Sequence, residues 1–336
     1  MQHNAPHRNS AFEGYYSKFD LPSGGHIALI ICKVANAPFR PNKVSFTYVP
    51  RSDVHNKTFQ QEVFPESMSM TTTGSDNAFE LTVPGVGYAK WHGDSVTEYS
   101  IKTDQYSFEG KTSTRTPWSR STSTPESLLV YLPLPLHWHV QSLASDCHFK
   151  FDVPGRNIPK EDQSGTAIVH QEKNWAASFP KAHMWLQARD GDQGLCCAGG
   201  KILGMEAFLL GYRGKKYNFD FRPPFAIRFL GLSPFLSYTT NWEDKSFSLS
   251  VQSFRQKITV EASAPEGSFF SLSAPFPEGH KPNMLGQSFQ AKFKVKVYES
   301  GWFSPWELVE EQEFEGCSLE FGAGYYPPAG SDKKFH

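Results

Sequence analysis

Residues Phe289–Tyr298, FQAKFKVKVY, alternate without a break. Phe289, Ala291, Phe293, Val295 and Val297 share one parity, and Lys292, Lys294 and Lys296 the other. A period of two is the mark of a strand with one buried and one wet face. The lysine row reads as solvent-facing and as a guard against edge-to-edge pairing. The same pattern recurs outward from it. Phe12–Phe19 and His26–Val34 read as a hairpin about Gly24–Gly25, and Val44–Val49 and Phe79–Val83 as further short strands. Ser127–Leu132 reads as a strand ahead of Pro133 and Pro135. Within Ser246–Val260 the apolar parity shifts, which predicts a β-bulge near Gln252–Ser253. One helix start stands out: Ser304-Pro305-Trp306-Glu307 fits a capping box with proline at the first helical position, and predicts a short helix to about Glu313.

Many short strands, frequent Gly and Pro, and almost no helical period predict an all-β protein. The 336 residues suit two domains or one large β-domain. The polar stretch Pro154–Gly165 is the expected linker, giving an N-terminal domain over 1–160 and a C-terminal one over 161–336.

An apolar fraction of 39%, with 15% aromatic residues spread along the chain, suffices for a sizeable core. The net charge of −1 carries no nucleic-acid or anionic-membrane footprint. No apolar run approaches a membrane span, and residues 1–14 lack a charged-then-apolar leader. The five cysteines, Cys32, Cys147, Cys196, Cys197 and Cys317, are odd in number and not spaced for zinc, so reduced thiols in a cytoplasmic protein are expected. The glycosylation sequon at Asn56-Lys57-Thr58 is then incidental.

The chemistry-bearing stretch is Gly165–Gln187, GTAIVHQEKNWAASFPKAHMWLQ. Burying so many polar groups is costly unless each finds a partner. Read as a strand, it puts His170, Glu172 and Asn174 on one face and Val169, Gln171, Lys173 and Trp175 on the other. In LHWHV, His137 and His139 share a face and Trp138 opposes them; in HMWLQ, His183, Trp185 and Gln187 share one. If these faces converge, they line one pocket. The bland alternative is a buried carboxylate bracing two sheets and tryptophans packing a core. A metal site is not expected: His137-x-His139 lacks the glutamate that a cupin pattern needs a few residues on. No Walker loop, dinucleotide fingerprint or nucleophile elbow occurs, so no cofactor is expected.

EKNW at 172–175, Phe179–Pro180 and WLQ at 185–187 resemble the signature of the tocopherol cyclase family; Leu136–Ser145 and Phe12–Ile30 resemble two further blocks of it. The resemblance implies two lipocalin-like antiparallel barrels or sandwiches. It also implies an acid that protonates a prenyl double bond, aromatic faces that steady the resulting cation, and a phenol oxygen that closes the ring. On this reading Glu172, His137, His139 and His170 are the catalytic candidates. Trp138, Lys173, Asn174, Trp175, Trp185 and Gln187 are the substrate-binding ones. The expected activity is cofactor-independent ring closure of an apolar prenylated aromatic or polyene, acid-assisted or pericyclic. A non-enzymatic lipid or terpenoid carrier and an alkene hydratase are the alternatives.

Overall fold

The computed structural model describes residues 4–51, 57–74, 77–93, 96–120, 124–177, 179–301 and 304–327. Asn56 of the sequon lies outside them. The chain divides into two compact units. One holds the chain through Phe179 together with Pro275–His280; the other holds Pro180–Ala274 and the chain from Lys281 on.

The first sheet is built from β1 (Phe12–Asp20), β2 (His26–Val34), β3 (Asn42–Val49), β4 (Phe59–Val63), β5 (Ser69–Thr72) and β6 (Phe79–Val83). It continues with β7 (Gly87–Trp91), β8 (Thr97–Lys102), β9 (Ser107–Thr112), β10 (Leu136–Asp152) and β11 (Ser164–Ala176). All pairs are antiparallel, in the order β4-β3-β2-β1-β11-β10-β9-β8-β7-β6-β5. Two meanders are thus joined side by side through β11, which pairs with β1 on one edge and β10 on the other. Its inner face and that of β1 carry Tyr15, Phe19, Ala167 and Val169 into a core shared with Phe46, Tyr48, Phe108, Phe149 and Phe151.

The second sheet takes β12 (Ala182–Asp190), β13 (Gln193–Ile202), β14 (Met205–Arg213), β15 (Asn218–Phe221), β16 (Ile227–Phe229) and β17 (Leu236–Asn241). Then come β18 (Ser246–Gln252), β19 (Gln256–Ser263), β20 (Phe270–Phe276), β21 (Gly279–Glu299) and β22 (Glu307–Ala323). Its order is β15-β14-β13-β12-β22-β21-β19-β18-β17, with β16 on β14 and β20 on β21. Met184, Leu186, Phe208, Phe247, Phe293, Val295 and Phe321 build its core. The protein is all-β, with two large lipocalin-like antiparallel sheets and almost no helix.

Five local expectations need correction. Ser127–Tyr131 is a 3₁₀ turn, its leucines left partly or largely exposed with no partner strand to pair against. The parity shift in 246–260 is a hairpin, not a bulge: β18 and β19 pair from Ser246↔Ser263 to Gln252↔Lys257 and put Phe254 at the turn. From Glu307 the chain is strand β22, not helix. Its Glu311, Glu313 and Glu315 lie across from the lysine row, with Lys292–Glu315 and Lys294–Glu311 both at 2.7 Å. A long-range charge ladder therefore overrides the local capping signal. For the same reason the lysine strand guards no edge, since β21 lies between β19 and β22. Finally, Pro154–Gly165 lies inside the first unit as a tight return with a short helix at Lys160–Gln163; the chain passes to the second unit after Phe179.

Candidate functional site

Strand β11 sets the site because its two faces do different things. Its parity is as the sequence predicts, and register with β1 and β10 assigns the neighbours. Tyr16 and Val140 stand opposite Glu172, whereas Tyr15 and His139 stand opposite Lys173. His137 pairs with Trp175. The two LHWHV histidines therefore share the core face with Lys173 and Trp175, while Glu172, His170 and Asn174 lie on the reverse face with Trp138. The four expected catalytic residues are split by the sheet rather than gathered.

On the reverse face, Glu172 is 6% exposed and His170 1%. Oε2 of Glu172 lies 2.9 Å from Nε2 of His170. Lys18 stands opposite His170 in β1 and its Nζ lies 2.6 Å from Asp20, which also meets His26 Nδ1 at 2.8 Å. Burial acts to raise the Asp20 carboxyl, but the Lys18 charge and the His26 hydrogen bond outweigh it and hold it well below the usual range. Asn174 reaches over Gly14, where a Cβ would stand 3.0 Å from Oδ1, so the missing side chain makes room for the amide. Trp138 meets Trp118 edge-on, with centroids 5.8 Å apart.

On the core face a chain of buried ionisable groups ends the barrel interior. Lys173 Nζ donates to Glu13 at 2.9 Å and to the backbone carbonyl oxygens of Ala5 and Asn4, and lies 3.2 Å from His7 Nδ1. Burial pushes this ammonium down to about 8, with the Glu13 charge opposing. At Glu13, burial works to raise the carboxyl, but the His7 hydrogen bond and the Lys173 charge hold it below the ordinary carboxylate range. The His7 ring stacks on Trp175 at 3.7 Å and 3°, and His137 stacks on it at 5.0 Å. His137 in turn meets Glu126 at 2.8 Å, and Glu126 accepts the Trp138 N–H. His139 Nε2 lies 2.8 Å from Asn4 Oδ1. Deeper in, Gln171 donates to Thr97 and Tyr99, and Tyr99 meets Ser17 at 2.8 Å. This face is a dense hydrogen-bonded network held against residues 4–7, in which Gln171 Oε1 finds no partner among the described residues.

The third expected segment belongs to the second unit. His183, Trp185 and Gln187 share the face of β12 turned from the Met184–Leu186 core. His183 Nε2 lies 2.8 Å from Glu320 Oε1, Gln287 donates to Glu320 Oε2, and Ser318 donates to Gln187. The His183 ring lies over Gly322, where a Cβ would come within 1.8 Å of it. Gly322→Ala should push the ring off Glu320 and cost about 1–3 kcal/mol. A lowered urea midpoint with a displaced His183 ring resonance is the expected pair of results; an unchanged ring resonance would refute the account.

Sequence reading missed Glu13, Glu126, Glu320 and Gln287. Glu13 carried a signal, since it shares parity with Tyr15, Ser17 and Phe19 and is the one charged residue on that face of β1. Glu126 and Glu320 carried none, because their partners lie on other strands. Among the described residues no three His, Cys, Asp or Glu side chains converge as metal ligands would, and no helix is long and apolar enough to cross a membrane.

No family model matches the chain, and no curated protein matches it in sequence. Solved structures do resemble it. CghA, solved with Sch210972, is 12% identical and aligns over 93% of this chain and 88% of its own, with a TM-score of 0.57. Kievitone hydratase from Nectria haematococca is 9% identical and aligns over 96% of this chain and 92% of its own, with a TM-score of 0.58. At these identities the likeness, which runs through both units, is one of fold.

Proposed function

We propose that the protein is a cofactor-independent enzyme that protonates a carbon–carbon double bond of an apolar, prenylated aromatic or polyene substrate, with Glu172 and His170 as the proton-transfer couple. The observation that carries this reading is the buried Glu172–His170 pair at 2.9 Å on the reverse face of β11. With its hydrogen on Nε2, His170 donates to Oε2, and the proton to be delivered sits on Oε1. Delivery to the alkene forms one C–H bond and leaves a tertiary cation and a carboxylate. Trp138 and Asn174, on the same face, supply an aromatic surface and an amide that can orient an oxygen. If a phenol oxygen of the substrate attacks the cation, a ring closes and the phenol proton returns to Glu172. If water attacks, the product is the hydrate. The name of kievitone hydratase favours keeping hydration beside ring closure, and the structure of CghA with Sch210972 is in line with a small-molecule substrate.

The test is turnover of prenyl phenols and polyenes in heavy water. The expected product carries one deuterium on carbon. Cyclised product without deuterium on carbon would replace protonation by a pericyclic closure, in which shape and hydrogen bonding lower the barrier. Stoichiometric binding with no product across the panel would make the protein a carrier.

A further inference from the structure

A buried cation stands beside the Glu172–His170 pair, next to the histidine and away from the acid. On the reverse face of β1 and β11, Tyr16 pairs with Glu172, Lys18 with His170 and Asp20 with Ile168. Side chains directly opposite on one face are neighbours. Lys18 is 2% exposed, and its Nζ leans along the strand to Asp20, 2.6 Å away. The order along the sheet is therefore Glu172, His170, the Lys18 ammonium, the Asp20 carboxylate. Against burial, which would raise it, the Lys18 charge and the His26 hydrogen bond keep the Asp20 carboxyl ionised. Asp20 is 27% exposed and lies beyond Lys18 as seen from Glu172, so it offsets the cation at His170 only in part. A second imidazole on this face already feels that cation. Burial first, and then the Lys18 charge, hold His26 below the ordinary histidine range, with Asp20 opposing. An apolar residue at position 18 would fill the same space without the desolvation penalty, so the lysine needs a reason.

Electrostatics supplies the reason. One proton shared across the 2.9 Å between Glu172 and His170 has two placements. A carboxylic acid against a neutral imidazole carries no charge on either partner; a carboxylate against an imidazolium is an ion pair. Only the first leaves the acid a proton to give to an alkene. The two hold the same number of protons, so pH does not choose between them; the surrounding charges do. An ammonium beside the imidazole raises the energy of the ion pair and leaves the neutral form nearly untouched. The other neighbours do not reverse this. On the β10 side of His170 stand the uncharged Leu143 and Ala144, between Ser142, which pairs with Gln171, and Ser145, which pairs with Val169. Asp146 lies opposite Ile168 and accepts from Thr114, and Arg115 donates to the Gln141 carbonyl oxygen at 2.8 Å. Tyr16 faces Glu172 rather than His170.

We infer that Lys18 is a positioning residue whose charge keeps the shared proton on Glu172 and off His170; this rests on the proton-transfer reading of that pair. The test is the ring nitrogen-15 spectrum of His170 in the full chain, assigned by its absence from His170→Gln, for the parent and for K18M/D20N. Turnover in heavy water is measured on the same samples. The double variant removes both charges of the Lys18–Asp20 pair, so neither is left buried without its partner, and methionine keeps most of the lysine stem. The parent should show a neutral ring. In K18M/D20N the imidazolium share should rise at least about tenfold, and kcat should fall by a similar factor while the product keeps its deuterium. Packing alone would not move the ring proton. A ring as neutral in K18M/D20N as in the parent overturns the inference, and deuterated product from that variant would leave Glu172 standing as the acid. A parent ring already in the imidazolium form overturns it as well. An imidazolium gained with turnover unchanged upholds Lys18 as the group that places the proton and removes Glu172 as the acid.

Discussion

Glu172→Gln should lower turnover by about two to four orders of magnitude while leaving the fold intact. The amide keeps the shape of the side chain and can still accept from His170 Nε2, now 2.9 Å from the carboxylate. What it cannot do is carry the proton that the alkene must receive. Loss should therefore appear in kcat, with substrate binding nearly unchanged, because proton delivery matters only in the transition state. His170→Gln should fall less far, since it removes the group that orients the acid rather than the acid. A brace would behave in the opposite way. If Glu172 only ties the sheet together, the glutamine variant melts earlier and each folded molecule keeps normal turnover. Measuring kcat and the urea midpoint on the same preparation separates these outcomes.

That experiment depends on something the sequence could not supply, which is the side of the sheet each group occupies. Parity within β11 was readable, because alternation is a property of one strand. The relation between β11 and LHWHV was not, because it is set by register. His139 stands opposite Lys173; a slip of one residue would have put it opposite Glu172 and turned both histidines to the reverse face. Two register shifts between Val140 and Ser145 each add one residue to β10, so alternation carried from Cys147 or Phe149 reaches His137 on the right face only because the two shifts cancel. The helix expected at Ser304 failed for a related reason: its glutamates alternate to meet lysines far earlier in the chain, Glu311 opposite Lys296 and Glu313 opposite Lys294 in β21. The alternating strand at 289–298, by contrast, contained all it needed locally, and with the frequent Gly and Pro it made the all-β class legible.

Register also fixes the second large effect. Glu13 and Lys173 are buried together on the core face, and removing one partner leaves the other charge uncompensated. Glu13→Leu should therefore cost about 3–5 kcal/mol in stability, and Glu13→Leu with Lys173→Met should recover most of it, because a packed apolar pair avoids both desolvation penalties. The pH dependence carries the sign. Lys173 is held at about 8 in the fold, below its unfolded value of 10.5. Between these values the unfolded chain binds the proton and the folded chain does not, so this group makes stability rise as pH climbs from 8 to 10.5. Glu13, whose folded pKa is depressed, works in the acid range: its contribution is present above 4.5 and is lost as pH falls through the folded value. In Glu13→Leu the acid-range contribution disappears. The lysine, without its counter-charge, drops further, so the variant's rise in stability begins below pH 8, and the penalty is largest between about pH 4.5 and that onset and shrinks above it. Urea midpoints of the parent, the single variant and the double variant across this range decide the matter. Midpoints for Glu13→Leu that match the parent at neutral pH would mean that the network is hydrated and its charges need no partner. The double variant should also loosen residues 4–7, because Lys173 holds the backbone carbonyls of Asn4 and Ala5, and faster amide exchange there would separate a sealing role for the lysine from simple core packing.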